Sequence, residues 1–405
     1  MKGTCRRIAL LLAFPIALRA QNVTSDTSPH AQRFVNVEPA VRLEVLDWGG
    51  AGRPIVLLAG RGNTAHVFDD FARKLTPEYR VYGITRRGYG NSTATLSGFL
   101  ADSLGDDVLA VMDSLGIRAP VLIGHSIAGQ ELSSVGSRHP ERVAGLVYLD
   151  AGFQFAFYDS SVTGLVSLRD TQRKLARLAD PSVGMTVRER SAMVQELLQT
   201  SLPLLERDLR VWQRDYDAYP NQAAILPAPD SNPLNRALAL GQQKYTAIRA
   251  PVLAIVAVPR QVPAAIAGDS VARARFDSLS IAGLSPQLNA FERGIPSARV
   301  VRLPHANHYV FRSNEADVLR EIRAFIAGLP LSAMGAEPEP LACRRKRAAA
   351  ITYLVDGEPA TCRSALALPP SRIASVEVLK GAAAALQYPA SAADGVIIIQ
   401  TKRDR

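Results

Sequence analysis

The sequence Val121-Leu-Ile-Gly-His-Ser-Ile-Ala-Gly-Gln130 joins a short apolar run to a segment of helix-forming residues. The run at 121–123 is typical of a buried strand, and Gly124 and Ala128 place small side chains two residues before and two after Ser126. A serine in a sharp strand-to-helix turn takes strained backbone angles, so bulky residues at those positions would clash with the adjacent strand and helix. The stretch therefore predicts a turn that lifts the Ser126 hydroxyl above the edge of a sheet.

Strand, loop and helix patterns alternate on both sides of this turn. Apolar runs typical of buried strands lie at 55–58, 81–84, 144–149, 251–258 and 299–303. Helical spacing follows several of these runs, which predicts a doubly wound, mostly parallel α/β sheet with helices on both faces. Ahead of them, apolar residues alternate with polar ones from Val41 to Val45, which predicts an exposed antiparallel strand.

The pattern changes between about residues 153 and 250. Helical, charged stretches at 187–199 and 204–216 are separated by proline-rich turns, and no buried-strand pattern interrupts them. Helices inserted between two strands of a sheet are typical of a lid over an active site. We therefore predict a helical lid at about 153–250.

The N-terminus has the features of an export signal. A basic start, an apolar run at 8–18 and a small residue at Ala20 predict a secretory signal peptide over 1–20, with an uncleaved anchor as the alternative. A polar lead-in over 21–31 follows. We expect an exported protein, periplasmic or secreted, with no transmembrane segment after signal removal. Cys343 and Cys362 would then remain, as one disulfide or as two thiols.

The charge of the chain does not indicate a nucleic-acid partner. The formal net charge of the 405 residues is +10. Four of the basic residues lie in the first twenty, and about +6 remains without them, spread along the chain. A strongly basic patch is therefore not predicted, and we expect no binding of nucleic acid.

A serine hydroxyl needs a base that takes its proton, and the late histidines are the candidates. His305 and His308 follow the last predicted sheet strand, where a doubly wound sheet would bring a base over Ser126. His308 stands directly before the closing helix and is the predicted base, with His305 as the alternative. Their spacing does not predict a metal site, because they lie on a loop without a third ligand.

Two other loops bear on the chemistry. The Gly60-Arg61-Gly62 turn follows the first buried strand, and its Arg61 N–H could join the Ile127 N–H to hold a developing oxyanion. Gly-x-Gly also occurs at 88–90, but neither turn has the full spacing of a dinucleotide-binding loop. We therefore predict no cofactor.

Residues 32–328 resemble the alpha/beta-hydrolase fold. The matching features are Arg87-Gly-Tyr-Gly-Asn-Ser92, Gly124-His-Ser-Ile-Ala-Gly129, Leu146-Val-Tyr-Leu-Asp-Ala151 and His308 ahead of a final helix. The resemblance implies that 124–129 is a nucleophile elbow, with Ser126 as nucleophile and His308 as base. It also implies an oxyanion hole formed by the backbone amides of Arg61 and Ile127.

Two positions depart from the pattern of the family. Ala59 stands where a histidine usually precedes Gly60, and no carboxylate stands at 259–263, where the acid of the triad usually follows its strand. Some members of the fold place the acid one strand earlier. Asp150 is therefore the predicted acid, with Asp269 as the alternative and a structural turn as another role for Asp150.

The C-terminal part forms a separate prediction. Residues 329–347 have the composition of a linker, and 348–405 are predicted as a small α+β unit. Its stretches at 351–359, 373–383 and 393–402 resemble the plug domain of TonB-dependent outer-membrane receptors. The resemblance implies contact with a cell-envelope protein partner, and a decorative extension is the alternative.

The function predicted from these features is that of an exported serine hydrolase. It would cleave a carboxylic ester or related acyl bond of a small-molecule substrate through an acyl-enzyme. One alternative is a non-catalytic protein on a hydrolase scaffold that docks to an envelope partner through its plug-like tail. Another chemistry of the same fold, such as a lyase or a cofactor-free peroxidase, is a further alternative.

Overall fold

The computed structural model describes residues 30–162, 165–218, 232–330, 352–360, 365, 368, 372–379 and 396–402. The predicted signal peptide at 1–20, nearly all of the lead-in and most of the linker lie outside these residues. So do Cys343 and Cys362 and the alternatives drawn for them. Among the described residues, no helix is both long enough and apolar enough to cross a bilayer.

The main body is built on one eight-stranded sheet, in the order β1-β2-β4-β3-β5-β6-β7-β8. The first two pairings, β1 with β2 and β2 with β4, are antiparallel, and all the others are parallel. This confirms the predicted α/β class. The strands are β1 Ala31–Glu38, β2 Val41–Gly49, β3 Pro54–Leu58, β4 Arg80–Ile84, β5 Val121–His125, β6 Gly145–Leu149, β7 Val252–Ala257 and β8 Ala298–Leu303.

Helices connect these strands, and a group of them lies between β6 and β7. In chain order they are α1 Asp69–Arg73, α2 Ala101–Ser114, α3 Gly129–Arg138, α4 Leu165–Ala179, α5 Val187–Glu196, α6 Leu202–Ala218, α7 Pro233–Leu240, α8 Ser270–Gly294, α9 Val310–Ser313 and α10 Glu315–Ala327. A π-helical turn at Leu197–Ser201 links α5 to α6.

The central strands are buried on both faces, as their continuous apolar runs predict. Every residue of β5, β6 and β7 is buried. Successive side chains of a strand point to opposite faces. Leu122 and Leu146 accordingly join one apolar cluster, while Ile123 and Val147 join the other. The sheet thus separates two cores, and the strand ends at its carboxyl edge are held rigidly.

The predicted antiparallel strand at 41–45 is confirmed as part of β2, but its predicted exposure is wrong. Leu43 and Val45 are buried in the apolar cluster on one face of the sheet, and β1, which the sequence pattern did not reveal, pairs along the outer edge of β2. Glu44, also buried, accepts hydrogen bonds from Gln32 and from Asn91. Burial alone would raise the pKa of this carboxyl, but its hydrogen bonds, His66 first among them, outweigh burial and lower the pKa to about 2.

Helices α4 to α7 lie where the lid is predicted. Leu238 of α7 packs in one buried cluster with Tyr89, Phe99 and Ile127 of the body. The Tyr89 hydroxyl donates a hydrogen bond of 2.7 Å to the side chain of Asn235. The inserted helices therefore rest directly on the turn that carries Ser126.

A second, four-stranded sheet lies in the C-terminal part, in the order β10-β9-β12-β11. Its strands are β9 Thr352–Val355, β10 Glu358–Ala360, β11 Ile373–Leu379 and β12 Val396–Thr401. Strands β9 and β12 are parallel, and the Asp356 carboxylate joins their ends by accepting two hydrogen bonds from Thr401. The alanine-rich sequence at 381–386 predicts a short helix, and these residues lie outside the described ones.

Candidate active site

The turn after β5 has the geometry that its sequence predicts. Ser126 has a φ of +54°, in the left-handed region, and a single 3-10 turn leads from it into α3. A Cβ atom on Gly129 would lie 2.5 Å from the carbonyl oxygen of Ala151, so only glycine fits at the start of this helix. Close packing of the turn therefore explains its small residues and fixes the position of the Ser126 hydroxyl.

Three predicted residues meet above this turn. His308 Nε2 lies 3.0 Å from Ser126 Oγ, and His308 Nδ1 lies 2.5 Å from Asp150 Oδ2. A carboxylate only accepts hydrogen bonds, so Nδ1 carries the proton and Nε2 is left to accept from the serine hydroxyl. This is the arrangement in which a base can remove the proton of a nucleophile and is itself oriented by an acid.

Asp150 is held in place by the neighbouring strand. It follows β6 with a φ of +43° and has 0% of its surface exposed. Its Oδ1 accepts the backbone N–H of Ala257 at 3.1 Å, and its own N–H donates to Ile255 at 2.7 Å. The Arg260 guanidinium lies 3.1 Å from Oδ2. The carboxylate is thus fixed by β7 and directed at His308.

The alternatives to these residues lie elsewhere. Asp269 caps the N-terminus of α8 by accepting the backbone N–H groups of Val271 and Ala272. His305 is exposed and lies 3.7 Å from Asp277. The structure therefore brings neither of them into contact with Ser126 or His308.

His66 is not among the residues that line the cavity over Ser126. It lies in the 3-10 helix at Ala65–Phe68 and reaches the carboxylates of Asp69 and Glu44. Hydrogen bonds to these two acids raise the pKa of His66 to about 10. Its role is to join the N-terminal strands to the body.

His125 supports the loop that carries the base. It is 1% exposed, and its Nε2 lies 3.1 Å from the backbone carbonyl oxygen of His308, to which it donates. Its ring centroid lies 4.6 Å from that of His308 and 4.7 Å from that of Tyr309. Burial and the neighbouring His308 lower the pKa of His125 to about 4, so it stays neutral near pH 7.

The loop after β3 is held close to the elbow although Ala59 replaces the usual histidine. The buried Arg86 guanidinium donates to the carbonyl oxygen of Ala59 at 2.8 Å and pairs with Glu131 of α3. A Cβ atom on Gly60 would lie only 2.7 Å from His125 Nδ1, so glycine is required there. This close approach brings the 60–62 turn beside Ser126.

A cavity of about 360 Å³ opens over the serine and the base. Arg61 and Ile127, whose amides are the predicted oxyanion hole, both line it. The other lining residues are Ser126, Phe153, Phe155, Arg169, Ala239, Gln242, Arg260 and His308. Sequence reasoning missed Arg169 and Gln242, because no local pattern distinguishes a lid arginine that faces a cavity from one that faces solvent.

The described residues contain no cluster of three or more His, Cys, Asp or Glu side chains that could hold a metal ion. The two histidines of the His-x-x-His spacing point to different partners, Asp277 for His305 and Asp150 for His308. The chemistry available at this site is therefore that of a hydroxyl, an imidazole and a carboxylate.

Parts of the chain are similar in sequence to known proteins. A putative non-heme haloperoxidase of Mycobacterium phage D29 is 28% identical over 116 residues, which are 28% of this chain and 42% of the phage protein. The bifunctional esterase/perhydrolase of Acinetobacter calcoaceticus is 31% identical over 123 residues, 29% of this chain and 44% of that protein. This chain thus spans less than half the length of each of these two curated relatives.

A solved structure also covers the main body. The epoxide hydrolase VrEH1 of Vigna radiata superposes with a TM-score of 0.48 and 18% identity, over 75% of this chain and 99% of that chain. The profile of the alpha/beta hydrolase fold matches residues 53–314, which include the whole site. The chain belongs to the alpha/beta hydrolase fold family.

Proposed function

We propose that the protein is a serine hydrolase that cleaves a carboxylic ester or related acyl bond through an acyl-enzyme. The observation that carries this proposal is the continuous chain of contacts from the buried Asp150 through His308 to the Ser126 hydroxyl. The two distances, 2.5 Å and 3.0 Å, are short enough for hydrogen bonds, and the order of the residues along the chain is serine, acid, histidine.

The mechanism follows from the positions of the protons. Ser126 Oγ attacks the carbonyl carbon of the substrate while His308 Nε2 takes the hydroxyl proton. The tetrahedral oxyanion is held by the backbone N–H groups of Arg61 and Ile127, which border the same cavity. His308 then gives its proton to the departing alcohol, which leaves the acyl group on Ser126.

The second half of the reaction repeats these steps with water. His308 removes a proton from a water molecule, whose oxygen attacks the acyl-enzyme, and the carboxylic acid leaves as Ser126 takes back its proton. Asp150 stays ionised throughout and stabilises the imidazolium that forms in each half. The site thus returns to its starting protonation state.

A fluorophosphonate probe tests this proposal. Wild-type protein should gain the mass of one phosphonyl group on Ser126 and should hydrolyse p-nitrophenyl butyrate. Ser126→Ala should remain unlabelled and lose at least about 10⁴-fold in kcat, because the nucleophile is absent. Folded wild-type protein that is neither labelled nor active would reject the proposal and favour the non-catalytic binding protein.

Export and an envelope partner are further proposals that rest on the sequence. The basic and apolar pattern of residues 1–20 supports export. The plug-like stretches between 351 and 402 support a contact between the C-terminal unit and a cell-envelope protein. Fractionation of cells that express the full chain, followed by cross-linking in the envelope fraction, tests both. Recovery of uncleaved protein in the cytoplasm alone would reject them.

A further inference from the structure

The cavity over Ser126 is rich in positive charge. Arg61, Arg169 and Arg260 approach it from three different segments, and the described residues that line it include no Asp or Glu. Phe153 and Phe155 form an apolar part of its wall. A site for an uncharged ester needs no guanidinium groups in its binding wall, so this concentration of charge requires an explanation.

Arg169 of the lid helix α4 provides the clearest evidence. Its side chain donates to the side-chain oxygen of Gln242, an uncharged partner. Among the described residues it forms no ion pair, and burial together with the positive charges of Arg61 and Arg173 lowers its pKa. Its position against the cavity therefore carries an electrostatic cost that an anion would remove.

Three buried arginines of the body are arranged differently. Arg86 pairs with Glu131, Arg87 with Asp107, and Arg142 with Asp113. Each of these guanidinium groups is compensated by a carboxylate within the protein, as expected for a buried charge. The uncharged amide of Gln242 does not compensate the charge of Arg169. Arg169 therefore differs from these three arginines.

Arg260 lies beside both the cavity and the predicted triad. One of its terminal nitrogens is 3.1 Å from Asp150 Oδ2, and its guanidinium carbon is 5.8 Å from the centre of the Phe153 ring. Its backbone N–H is fixed by the Ser280 hydroxyl at 2.9 Å. A guanidinium has five N–H donors, so the contact with Asp150 leaves other donors for a second carboxylate in the cavity.

We propose that the substrate of this site carries a carboxylate, in its acyl or its alcohol part, which Arg169 and Arg260 bind while Ser126 attacks the ester carbonyl. The inference rests on the proposed serine hydrolase function and adds the class of substrate. The planar fork of an arginine matches the two oxygens of a carboxylate. Phe153 and Phe155 would pack against the short carbon chain between the carboxylate and the ester.

Two ester pairs that differ only in charge test the proposal. Monomethyl glutarate and its amide, methyl 4-carbamoylbutanoate, place the group on the acyl side. Acetoxyacetate and acetoxyacetamide place it on the alcohol side. In at least one pair, kcat/KM should be 30-fold or more higher for the acid than for the amide, with most of the difference in KM. Equal values within both pairs would overturn the proposal.

Two single variants test whether residues of the cavity cause the preference for the acid over the amide. Arg169→Gln should reduce the acid-to-amide ratio of kcat/KM at least tenfold. Arg177→Gln is the matched control, because Arg177 lies on the same helix, is exposed and does not line the cavity. An unchanged ratio in Arg169→Gln, or an equal loss in both variants, would contradict the assignment.

Calorimetry with Ser126→Ala separates this inference from the proposed function. The variant should bind monomethyl glutarate or acetoxyacetate at least tenfold more tightly than the matching amide, whether or not wild-type protein turns them over. Anion-selective binding without any turnover would reject the hydrolase and keep the carboxylate site. Turnover without selectivity would keep the hydrolase and reject the carboxylate site.

Discussion

The loops after β6 and β7 leave the same edge of the sheet side by side, but they differ in charge and in exposure. The β6 loop carries Asp150, which has 0% of its surface exposed and accepts hydrogen bonds on both oxygens. The β7 loop carries Arg260, whose side chain is 31% exposed and which borders the cavity. The acid thus stands one strand earlier than the usual position, and a cation occupies the vacated loop.

This difference shows that the position of the carboxylate is constrained, whereas the strand that supplies it is not. The base needs a carboxylate at one point in space, and either neighbouring strand can supply it. Once Asp150 fills that point from β6, the β7 loop is released from catalysis and can serve substrate binding. In our proposal the Arg260 guanidinium binds the substrate while it remains in contact with Asp150.

Substitutions in the two loops should differ most in how much they lower the free energy of unfolding. Asp150→Ala should lower the free energy of unfolding by about 3 kcal/mol, because it leaves both the Ala257 N–H and the His308 Nδ1–H without their acceptor. Arg260→Ala should cost less than about 1 kcal/mol, since that side chain is partly exposed. Urea unfolding curves of both variants measure the difference, and equal losses would contradict the contrast between the loops.

The free energy of unfolding should also fall at acidic pH. The pKa of His125 is about 4 in the folded protein and about 6.5 when unfolded, so the folded state binds fewer protons between these values. Stability should therefore fall by about 2–3 kcal/mol as the pH falls from 6.5 to 4. His125→Phe keeps an aromatic ring without a titrating group and should reduce this loss. An unchanged pH slope of the unfolding free energy would show that His125 is not its source.

The role of Asp269 provides a smaller test of where the acid lies. Asp269→Ala removes the cap of α8 and should lower the free energy of unfolding by about 1 kcal/mol, with little change in kcat. Thermal unfolding and p-nitrophenyl butyrate hydrolysis measure the two quantities. Asp269→Asn serves as the control, because asparagine is also a good cap. A large loss of kcat in both variants would reassign the acid.

The smallest effect concerns the charge of the β7 loop. Arg260→Gln removes a positive charge next to Asp150, which should favour the protonated imidazole of His308. The acid limb of the kcat/KM profile should therefore move to higher pH. Arg177→Gln, far from the site on the lid, should leave the profile in place. A shift to lower pH would mean that Arg260 does not act through Asp150.

The contact between Ser126 and His308 could be predicted because the signals for both residues are local. The small residues around Ser126 follow from the strain of one turn, and His308 follows from its place after the last strand and before the closing helix. The structure adds the distances that join them. The sequence leaves Asp150 and Asp269 open as the acid. Only the pairing of β6 with β7 shows that the Asp150 carboxylate reaches the imidazole of His308.

The remaining features depend on contacts between distant segments. The alternation in β2 predicts an exposed strand, because the sequence pattern does not reveal which distant segments cover it. The lid was predicted from its change of pattern, but which arginine of α4 borders the cavity depends on how that helix packs. The orientation of Arg169 therefore had to come from the structure.

The most direct test of the central claim is the kcat of Asp150→Asn measured beside that of Asp269→Asn, with p-nitrophenyl butyrate and with both variants shown to be folded. Asparagine keeps the size of the side chain but cannot hold His308 in the required tautomer or stabilise its protonated form. We expect kcat to fall about 10⁴-fold in Asp150→Asn and to change no more than about twofold in Asp269→Asn. Near wild-type turnover by Asp150→Asn would contradict the claim that the acid of this site follows β6.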